Sequence, residues 1–294
     1  MANNINISMT QDAKKFSFTK PFRYIICILL CALSIFPFYI LFINSTLPSD
    51  QIISGLHFIP GNYFDNNYET LTNKSDVVSS VSVWQAMGNS LIITVPATLL
   101  QVYFAAFTAY GITVYNFKFR NLAWAFIYGI MMIPTQVSIV GLIKVCDLTN
   151  MYGTRWPLIL PAIAAPTTVY FMKQYMEAGF SVEIVEAARI DGSGEFSTFN
   201  KIALPLLTPA MATQAIFGFV ASWNNLYTPS ILLATERDKA TMPMFIEALK
   251  ANDKQRDFGE IYTGLFISVL PIMIAYFLLS KYIVAGVALG GVKE

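Results

Sequence analysis

Residues 24–43 read YIICILLCALSIFPFYILFI, twenty positions without an Asp, Glu, Lys, Arg or His. Because an α-helix rises about 1.5 Å per residue, about 20 apolar residues cross the hydrocarbon core of a bilayer. The stretch is longer than the apolar part of a secretory signal peptide, and no cleavage site of small residues follows it. It therefore predicts a retained transmembrane helix.

Five further stretches also lack ionisable residues: 91–115, 122–143, 157–172, 210–234 and 261–280. The chain of 294 residues is 55% hydrophobic and 13% charged, with a mean hydropathy of +0.54. This composition excludes an ordinary soluble domain. The sequence predicts an all-α membrane protein with six transmembrane helices in residues 21–294, preceded by a polar tail, residues 1–20.

The charges of the loops predict the orientation, because Lys and Arg are enriched in cytoplasmic loops. The chain up to Arg23 carries four basic residues, whereas the loop 44–90 has Lys74 alone against four acidic residues. The N-terminus is therefore predicted to be cytoplasmic. With six crossings, the C-terminus is predicted to be cytoplasmic as well.

A polar stretch on the predicted cytoplasmic side, residues 173–208, reads KQYMEAGFSVEIVEAARIDGSGEFSTFNKIALPLLT. Its first part predicts a short helix capped by Ser181, with Glu183 in the opening turn where the helix dipole favours an anion. We expect this helix to end at Asp191 and Gly192, because Gly accepts the left-handed backbone of a helix C-terminus.

The second part of this stretch predicts another short helix. Ser193 is its expected cap, and the apolar spacing is expected to place three side chains on one face, those of Phe196, Phe199 and Ile202. Pro205 is expected to end it, since Pro disrupts the helical hydrogen-bond ladder.

The first helix has the composition of a docking element. Ala187 and Ala188 are small enough to let another surface approach closely, and Glu186 and Arg189 could form ion pairs with that surface. The alternative is an amphipathic hairpin that lies at the lipid headgroups without a partner. A metal or acid-base cluster of the loop carboxylates, including Glu195, is disfavoured because no membrane pocket surrounds them.

Residues 186–205, EAARIDGSGEFSTFNKIALP, resemble almost position for position the EAA signature of permease subunits in binding-protein-dependent ABC importers. In that family the loop is a coupling helix that binds a groove of the cytoplasmic ATPase subunit. The resemblance makes 173–208 the coupling loop and implies ATPase docking by six residues: Glu186, Ala187, Ala188, Arg189, Asp191 and Gly192.

Four more segments are similar to the carbohydrate branch of this family, which includes the shorter permease subunit of the maltose transporter. They are MGNSLIITVPATLL (87–100), MIPTQVSI (132–139), TQAIFGFVASWNNLYTPSILL (213–233) and KYIVAGVALGGVKE (281–294). The resemblance implies a type I ABC importer permease fold in a bacterial inner membrane. It also implies a second permease subunit in a heterodimer, two cytoplasmic ATPase subunits and an external solute-binding protein.

The source of energy is expected to lie on another chain. Proton-coupled carriers keep ionisable residues within the membrane, and the six stretches have none. The phosphate-binding pattern GxxxxGK[ST] is also absent, so ATP and Mg are expected on the partner ATPase and no cofactor on this chain. The spans offer no clustered catalytic groups for a membrane enzyme, and the single histidine, His57, cannot form a multi-histidine metal site. The net charge of +1 disfavours nucleic acid as a partner.

Neutral polar and aromatic residues inside the spans are the candidates for a solute path: Gln136, Trp223, Asn224, Asn225 and Tyr227. Hydrogen bonding between helices is the alternative role for such residues. Their neutrality favours a neutral solute, and with the resemblance it indicates a sugar, in particular an oligosaccharide. Peptides, polyamines and a non-transporting scaffold remain open.

Two loops are predicted on the external side. The loop 44–90 is long enough for a small folded cap, and the resemblance suggests that the loop 235–260 faces the solute-binding protein. A solvated loop is the alternative for 235–260.

Overall fold

The computed structural model describes residues 19–73, 81–251 and 256–290, which contain helices and no β-strand. Most of the predicted tail, residues 1–18, lies outside the described residues. The α-helices are α1 (Thr19–Ser45), α2 (Ser49–Ser54), α3 (Phe64–Asn73), α4 (Val83–Val114), α5 (Arg120–Ile130), α6 (Thr135–Leu148), α7 (Trp156–Ile159), α8 (Pro166–Gly179), α9 (Glu183–Ile190), α10 (Glu195–Thr198), α11 (Leu204–Leu206), α12 (Thr208–Trp223), α13 (Tyr227–Leu232), α14 (Met242–Ala251) and α15 (Phe258–Gly290).

Three of these helices are long and apolar enough to cross a bilayer, at Pro21–Ser45, Val83–Val114 and Phe258–Ile283. They are α1, α4 and α15, and they contain three of the six predicted stretches. The described residues hold a fourth candidate if Glu195–Leu206 and Thr208–Trp223, which meet at an angle of 78°, count as one span.

The other three predicted stretches are broken helices: 122–143, 157–172 and 210–234. Pro134 separates α5 from α6, and a 3₁₀ segment followed by Pro166 separates α7 from α8. Proline lacks the N–H that continues a helix and keeps the preceding residue out of the helical region. The third stretch is interrupted between α12 and α13, where Asn224 ends α12. Apolar length alone therefore did not predict continuous helices here.

Helix α4 is the centre of the packing and contributes to two hydrophobic clusters. At its N-terminal end, Val83 and Ala86 pack with Trp223 of α12 and with α14 and α15. Towards its C-terminal end, buried alanines such as Ala105 and Ala109 let α8, α12 and the polar loop approach closely. One helix thus connects the two ends of the molecule.

The loop after α1 forms the expected cap, in which α2 and α3 pack on α15. Its anchor is Asn67, which is buried and donates hydrogen bonds to the carbonyl oxygens of Ser45 at 3.0 Å and Leu47 at 2.9 Å. A buried amide held by two backbone acceptors fixes the position of α3 on the end of α1.

The described part of the loop 235–260 is folded rather than simply solvated. Its helix α14 buries Met242, Phe245 and two further apolar side chains in the cluster with α4 and α15. The backbone N–H of Met242 donates to Ser90 Oγ at 2.7 Å, and Asn89 Nδ2 donates to the carbonyl of Ala240 at 3.0 Å. The alternative of a solvated loop is therefore wrong for α14.

Candidate functional site

Helix α9 of the polar loop has one buried face and one exposed face. Val185 is buried in the cluster around the C-terminal half of α4, and Ala188 beside it is 6% exposed. Ala188 thus packs within this chain, although the family pattern implied docking for it. The opposite face is exposed, and Ile190 there keeps 86% of its surface accessible. Since burying an apolar side chain is favourable, this face is suited to a contact with another surface.

The predicted cap at the start of α9 is wrong. The helix begins after Val182, and no side chain caps its N-terminus. The Ser181 hydroxyl donates instead to the Glu183 carboxylate and lowers the pKa of that carboxyl. The prediction placed the cap one residue too early, because Val182 rather than Ser181 occupies the N-cap position.

The predicted end of α9 is confirmed. Asp191 is the last residue of the helix turn, and Gly192 follows with a φ of +80°. The N–H of Ser193 donates to the carbonyl of Ala188 at 2.9 Å, and that of Gly192 to Arg189 at 3.0 Å. This is a Schellman arrangement, which requires a left-handed residue where Gly192 stands.

The second helix of the loop differs from the prediction at both ends. Gly194 rather than Ser193 precedes α10, and Ser193 Oγ accepts a hydrogen bond from Thr198 Oγ1 at 2.9 Å. Beyond α10 the chain continues through a π-helical turn, Phe199–Ala203, and through α11, which contains Pro205. The bend comes after Pro205, because Pro is tolerated in the first turn of a helix.

Phe196 and Phe199 do not share an environment, which contradicts the predicted common face. Phe199 is fully buried and packs against the rings of Phe107 and Tyr110, at centroid distances of 5.0 and 5.2 Å. Phe196 is 68% exposed. The preceding residue, Glu195, already lies at the end of α4, so no part of α4 is left to cover Phe196.

Arg189 forms its ion pair within the chain. Its Nε and Nη2 atoms donate to the two Glu195 carboxylate oxygens at 2.7 and 3.2 Å, and its guanidinium lies 5.3 Å from the ring centre of Tyr115. The Tyr115 hydroxyl also donates to Glu195. The bond from Arg189, and then that from Tyr115, hold the pKa of the Glu195 carboxyl below its usual range. This network ties the loop to the end of α4, and Arg189 needs no acid from a partner.

Six exposed residues of the loop form a candidate docking surface, called the docking surface from here on: Glu186, Ala187, Ile190, Asp191, Gly192 and Phe196. Sequence reasoning missed Ile190 and Phe196. The signal that could have identified these two residues is helical spacing, because Ile190 and Phe196 do not fall on the face that contains the buried Val185 and Ala188. Gly192 adds open space, since a Cβ atom built there meets nothing within 4 Å.

The candidates for a solute path do not share one site. Trp223 is 1% exposed, stacks on Phe219 and donates from Nε1 to the carbonyl of Ser268 at 3.1 Å. This is the interhelical role that was the alternative. Asn224 and Tyr227 are exposed, and the side chain of Gln136 lies outside the described residues.

Asn225 lines a cavity of about 210 Å³, together with the polar residues Ser222 and Thr228. Its Oδ1 accepts a hydrogen bond from the N–H of Thr228 at 3.2 Å at the start of α13. The other walls are apolar and include Pro157 and Pro161. The break between α12 and α13 thus places neutral polar groups beside the break before α8.

A family model described as the inner membrane component of binding-protein-dependent transport systems matches residues 101–289, which include α9 and the docking surface. The chain belongs to this family.

Curated relatives of the chain are permease proteins of named transport systems. The chain is 32% identical, over 89% of its length and 92% of the relative, to the arabinooligosaccharides transport system permease protein AraQ of Halalkalibacterium halodurans. It is 25% identical, over 90% and 94%, to the sn-glycerol-3-phosphate transport system permease protein UgpE of Escherichia coli. A chain from the crystal structure of a bacterial ABC transporter involved in the import of the polysaccharide alginate matches with a TM-score of 0.73. That match covers 90% of this chain and 96% of the other at 17% identity, and it identifies the fold as that of an ABC importer permease.

Proposed function

We propose that this chain is the transmembrane subunit of an ATP-driven sugar importer whose substrate is an oligosaccharide. The observation that carries the proposal is the docking surface, which exposes Ile190 and Phe196 on a loop whose other side packs on α4. Membership of the transporter family and the name of the arabinooligosaccharide relative support the substrate class.

The docking loop is the proposed connection between ATP hydrolysis and transport. Closure of the ATPase subunits displaces α9, and the buried contacts of Val185 carry that displacement to the end of α4. The network of Arg189, Glu195 and Tyr115 makes the same connection through hydrogen bonds. Because α4 belongs to both hydrophobic clusters, its tilt changes the packing at the far end of the bundle.

The proposed topology has six crossings with both termini in the cytoplasm of a bacterial cell. The three unbroken crossings are α1, α4 and α15. The other three are the broken pairs α5 with α6, α7 with α8, and α12 with α13. Broken helices are tolerated at membrane depth where the freed backbone groups are buried in protein or line a cavity.

The proposed assembly contains a second permease subunit, two cytoplasmic ATPase subunits that hold ATP and Mg, and an external solute-binding protein. In this assembly the domain 21–294 forms one half of the membrane channel, and the loop 235–260 faces the binding protein. Support comes from the family description, which names a binding-protein-dependent transport system.

The proposed solute path runs beside Asn225, Ser222 and Thr228, which supply hydroxyl and amide groups to a neutral solute. Asn224, Tyr227 and Gln136 are proposed to border the same path. Trp223 does not border this path but is proposed to hold the helices beside it in place, since its indole packs inside the bundle.

The proposal is tested with Ala187→Leu in the co-expressed complex. Ala187 is exposed on the docking surface, and Leu is a good helix former, so the larger side chain obstructs docking while the helix is kept. We expect this variant to lose co-purified ATPase and sugar-stimulated ATP hydrolysis. Gln174→Leu, on the exposed side of α8, is the matched control. Full coupling in Ala187→Leu, or failure of every sugar tried to stimulate the wild type, contradicts the proposal.

A further inference from the structure

A groove of about 680 Å³ lies beside the N-terminal half of α4, remote from the docking surface. Its apolar walls include Ile92, Pro96 and Leu99 of α4, together with Trp156 and Ile159 of α7. Basic and hydroxyl groups also line it, from Arg155, Lys239 and Thr154. The groove therefore joins an apolar trough to a cationic end.

The position of the cationic end along α4 is given by a hydrogen bond. Arg155 Nη2 donates to Asn89 Oδ1 at 2.6 Å. From Asn89 to Tyr115, where the docking loop meets α4, the helical rise amounts to about 39 Å. The hydrocarbon core is about 30 Å thick, so a docking loop at the cytoplasmic surface places Arg155 at the opposite headgroup layer. Leu99 lies about 15 Å further in, which is the depth of one leaflet.

The charge at this end is incompletely balanced. Lys239 Nζ donates to Glu236 Oε2 at 2.9 Å and to the carbonyl of Gly153 at 2.8 Å. Arg155 forms no ion pair within the described residues. Its guanidinium lines the groove and bonds the neutral amide oxygen of Asn89, so an anionic oxygen from outside the chain would balance its charge, and the planar Arg donors are well suited to one.

We propose that the groove binds one anionic phospholipid of the outer leaflet. Its phosphate lies at Arg155 and Lys239, and an acyl chain follows Ile92, Pro96 and Leu99. The separation of polar and apolar groups suits an amphiphile, whereas a sugar or a free phosphoester needs polar groups along its whole length. Trp156 is exposed at the level of the headgroups, where Trp is enriched in membrane proteins. The inference rests on the proposed topology.

The test is native mass spectrometry of the purified, delipidated transporter complex titrated with phosphatidylglycerol or phosphatidylcholine. We expect one tightly bound phosphatidylglycerol per copy of this chain. The double variant Arg155→Gln with Lys239→Gln is expected to bind it about 30-fold more weakly, which is about 2 kcal/mol at 1.4 kcal/mol per tenfold. Arg237→Gln is the matched control, since Arg237 is an exposed cation beside Lys239 that does not line the groove.

A second variant leaves the charges intact. Leu99→Trp fills the trough and is expected to lower phosphatidylglycerol binding, whereas Ile274→Trp, on an exposed face of α15, is expected to leave it unchanged. Equal binding of both lipids, equal losses in the controls, or displacement by millimolar inorganic phosphate overturns the proposal. So does a photo-crosslinking residue at position 99 that couples to the second permease subunit instead of a lipid.

The ATPase that co-purifies with each sample separates this inference from the proposed function. Loss of lipid with retained ATPase is the expected result for the groove variants. A wild-type chain that retains no ATPase contradicts the proposed function. Its lipid titration still shows whether the groove binds an anionic phospholipid.

Discussion

Gly192 has a left-handed backbone and also lies on the proposed docking surface. Its φ of +80° lies in the left-handed region, so Gly192→Ala is expected to strain the Schellman turn by about 1 kcal/mol. We expect this variant to reduce the ATPase retained by the purified complex. The matched control is Gly194→Ala, because Gly194 has an extended backbone with a φ of −69° and open space around it.

A further variant at the same position separates strain from bulk. Asn tolerates the left-handed conformation better than other side chains, so Gly192→Asn keeps the turn and adds volume on the docking surface. Loss of ATPase in both Gly192 variants indicates that the partner approaches the backbone closely. Normal retention in both removes Gly192 from the docking surface.

The Arg189 and Glu195 pair predicts a dependence of stability on pH. Arg189 lowers the folded-state pKa of the Glu195 carboxyl, so the pair stabilises the loop at neutral pH. This contribution is lost as the pH falls through that lowered pKa. Because the carboxylate is half exposed, we expect Glu195→Gln to lower the melting temperature at pH 7 by only about 1 °C.

Melting curves of the purified complex at pH values from 7 down to below the ordinary range of a glutamate measure this effect. The difference between Glu195→Gln and the wild type should vanish at the acidic end. Glu69→Gln is the control, since Glu69 of α3 is exposed, has no ion pair within the described residues and lies away from the docking surface. A difference that persists at low pH would show that the pair does not cause it.

At the scale of elements, the cap on α15 depends on a close contact between helices. A Cβ atom at Gly259, in the first turn of α15, would lie 2.4 Å from Asn67 Oδ1. Gly259→Ala therefore displaces the buried amide that holds α3 to the end of α1. We expect a loss of about 1–3 kcal/mol, seen as a lower melting temperature and faster proteolysis of α3.

Gly88→Ala is the control for this prediction. Gly88 lies inside α4, and a Cβ atom there meets nothing within 4 Å. Ala has the higher helix propensity, so this variant is expected to be neutral or slightly stabilising. Equal destabilisation in both variants would assign the effect to loss of glycine rather than to Asn67.

Some elements could be predicted from local sequence and others could not. The end of α9 was predictable because Gly192 is required by its own backbone conformation. The caps at Ser181 and Ser193 were not, because each helix begins one residue later than predicted, with Val182 and Gly194 at the N-cap positions. The breaks at Pro134 and Pro166 have a local cause, but the break at Asn224 carries no such signal in composition.

At the scale of the whole molecule, the proposed topology predicts which positions face each side of the membrane. In a chain without Cys27, Cys31 and Cys146, we expect Ile59→Cys and Leu148→Cys to react with an impermeant maleimide from outside. We expect Phe119→Cys to react only after the cells are opened, and Ile190→Cys only after the ATPase has also been removed from the opened membranes. All four positions are exposed in the structure.

Leu148→Cys is the decisive position, because it follows the broken pair of α5 and α6. Labelling from outside supports a crossing by that pair. Labelling only after opening the cells would make the pair re-entrant and would contradict the count of six. Ile190→Cys serves as the internal reference, since it belongs to the docking surface.

The sequence by itself determined that the chain has the composition of a membrane protein, and its contiguous residues 186–205 carry the resemblance to the EAA signature. It also determined the end of α9, through the conformational freedom of Gly192. Only the tertiary structure decided that Arg189 pairs with Glu195 and that Trp223 packs inside the bundle. The physical reason is that these contacts depend on packing: the Glu195 carboxylate lies between Arg189 and the distant Tyr115, and the Trp223 indole donates to Ser268 of another helix.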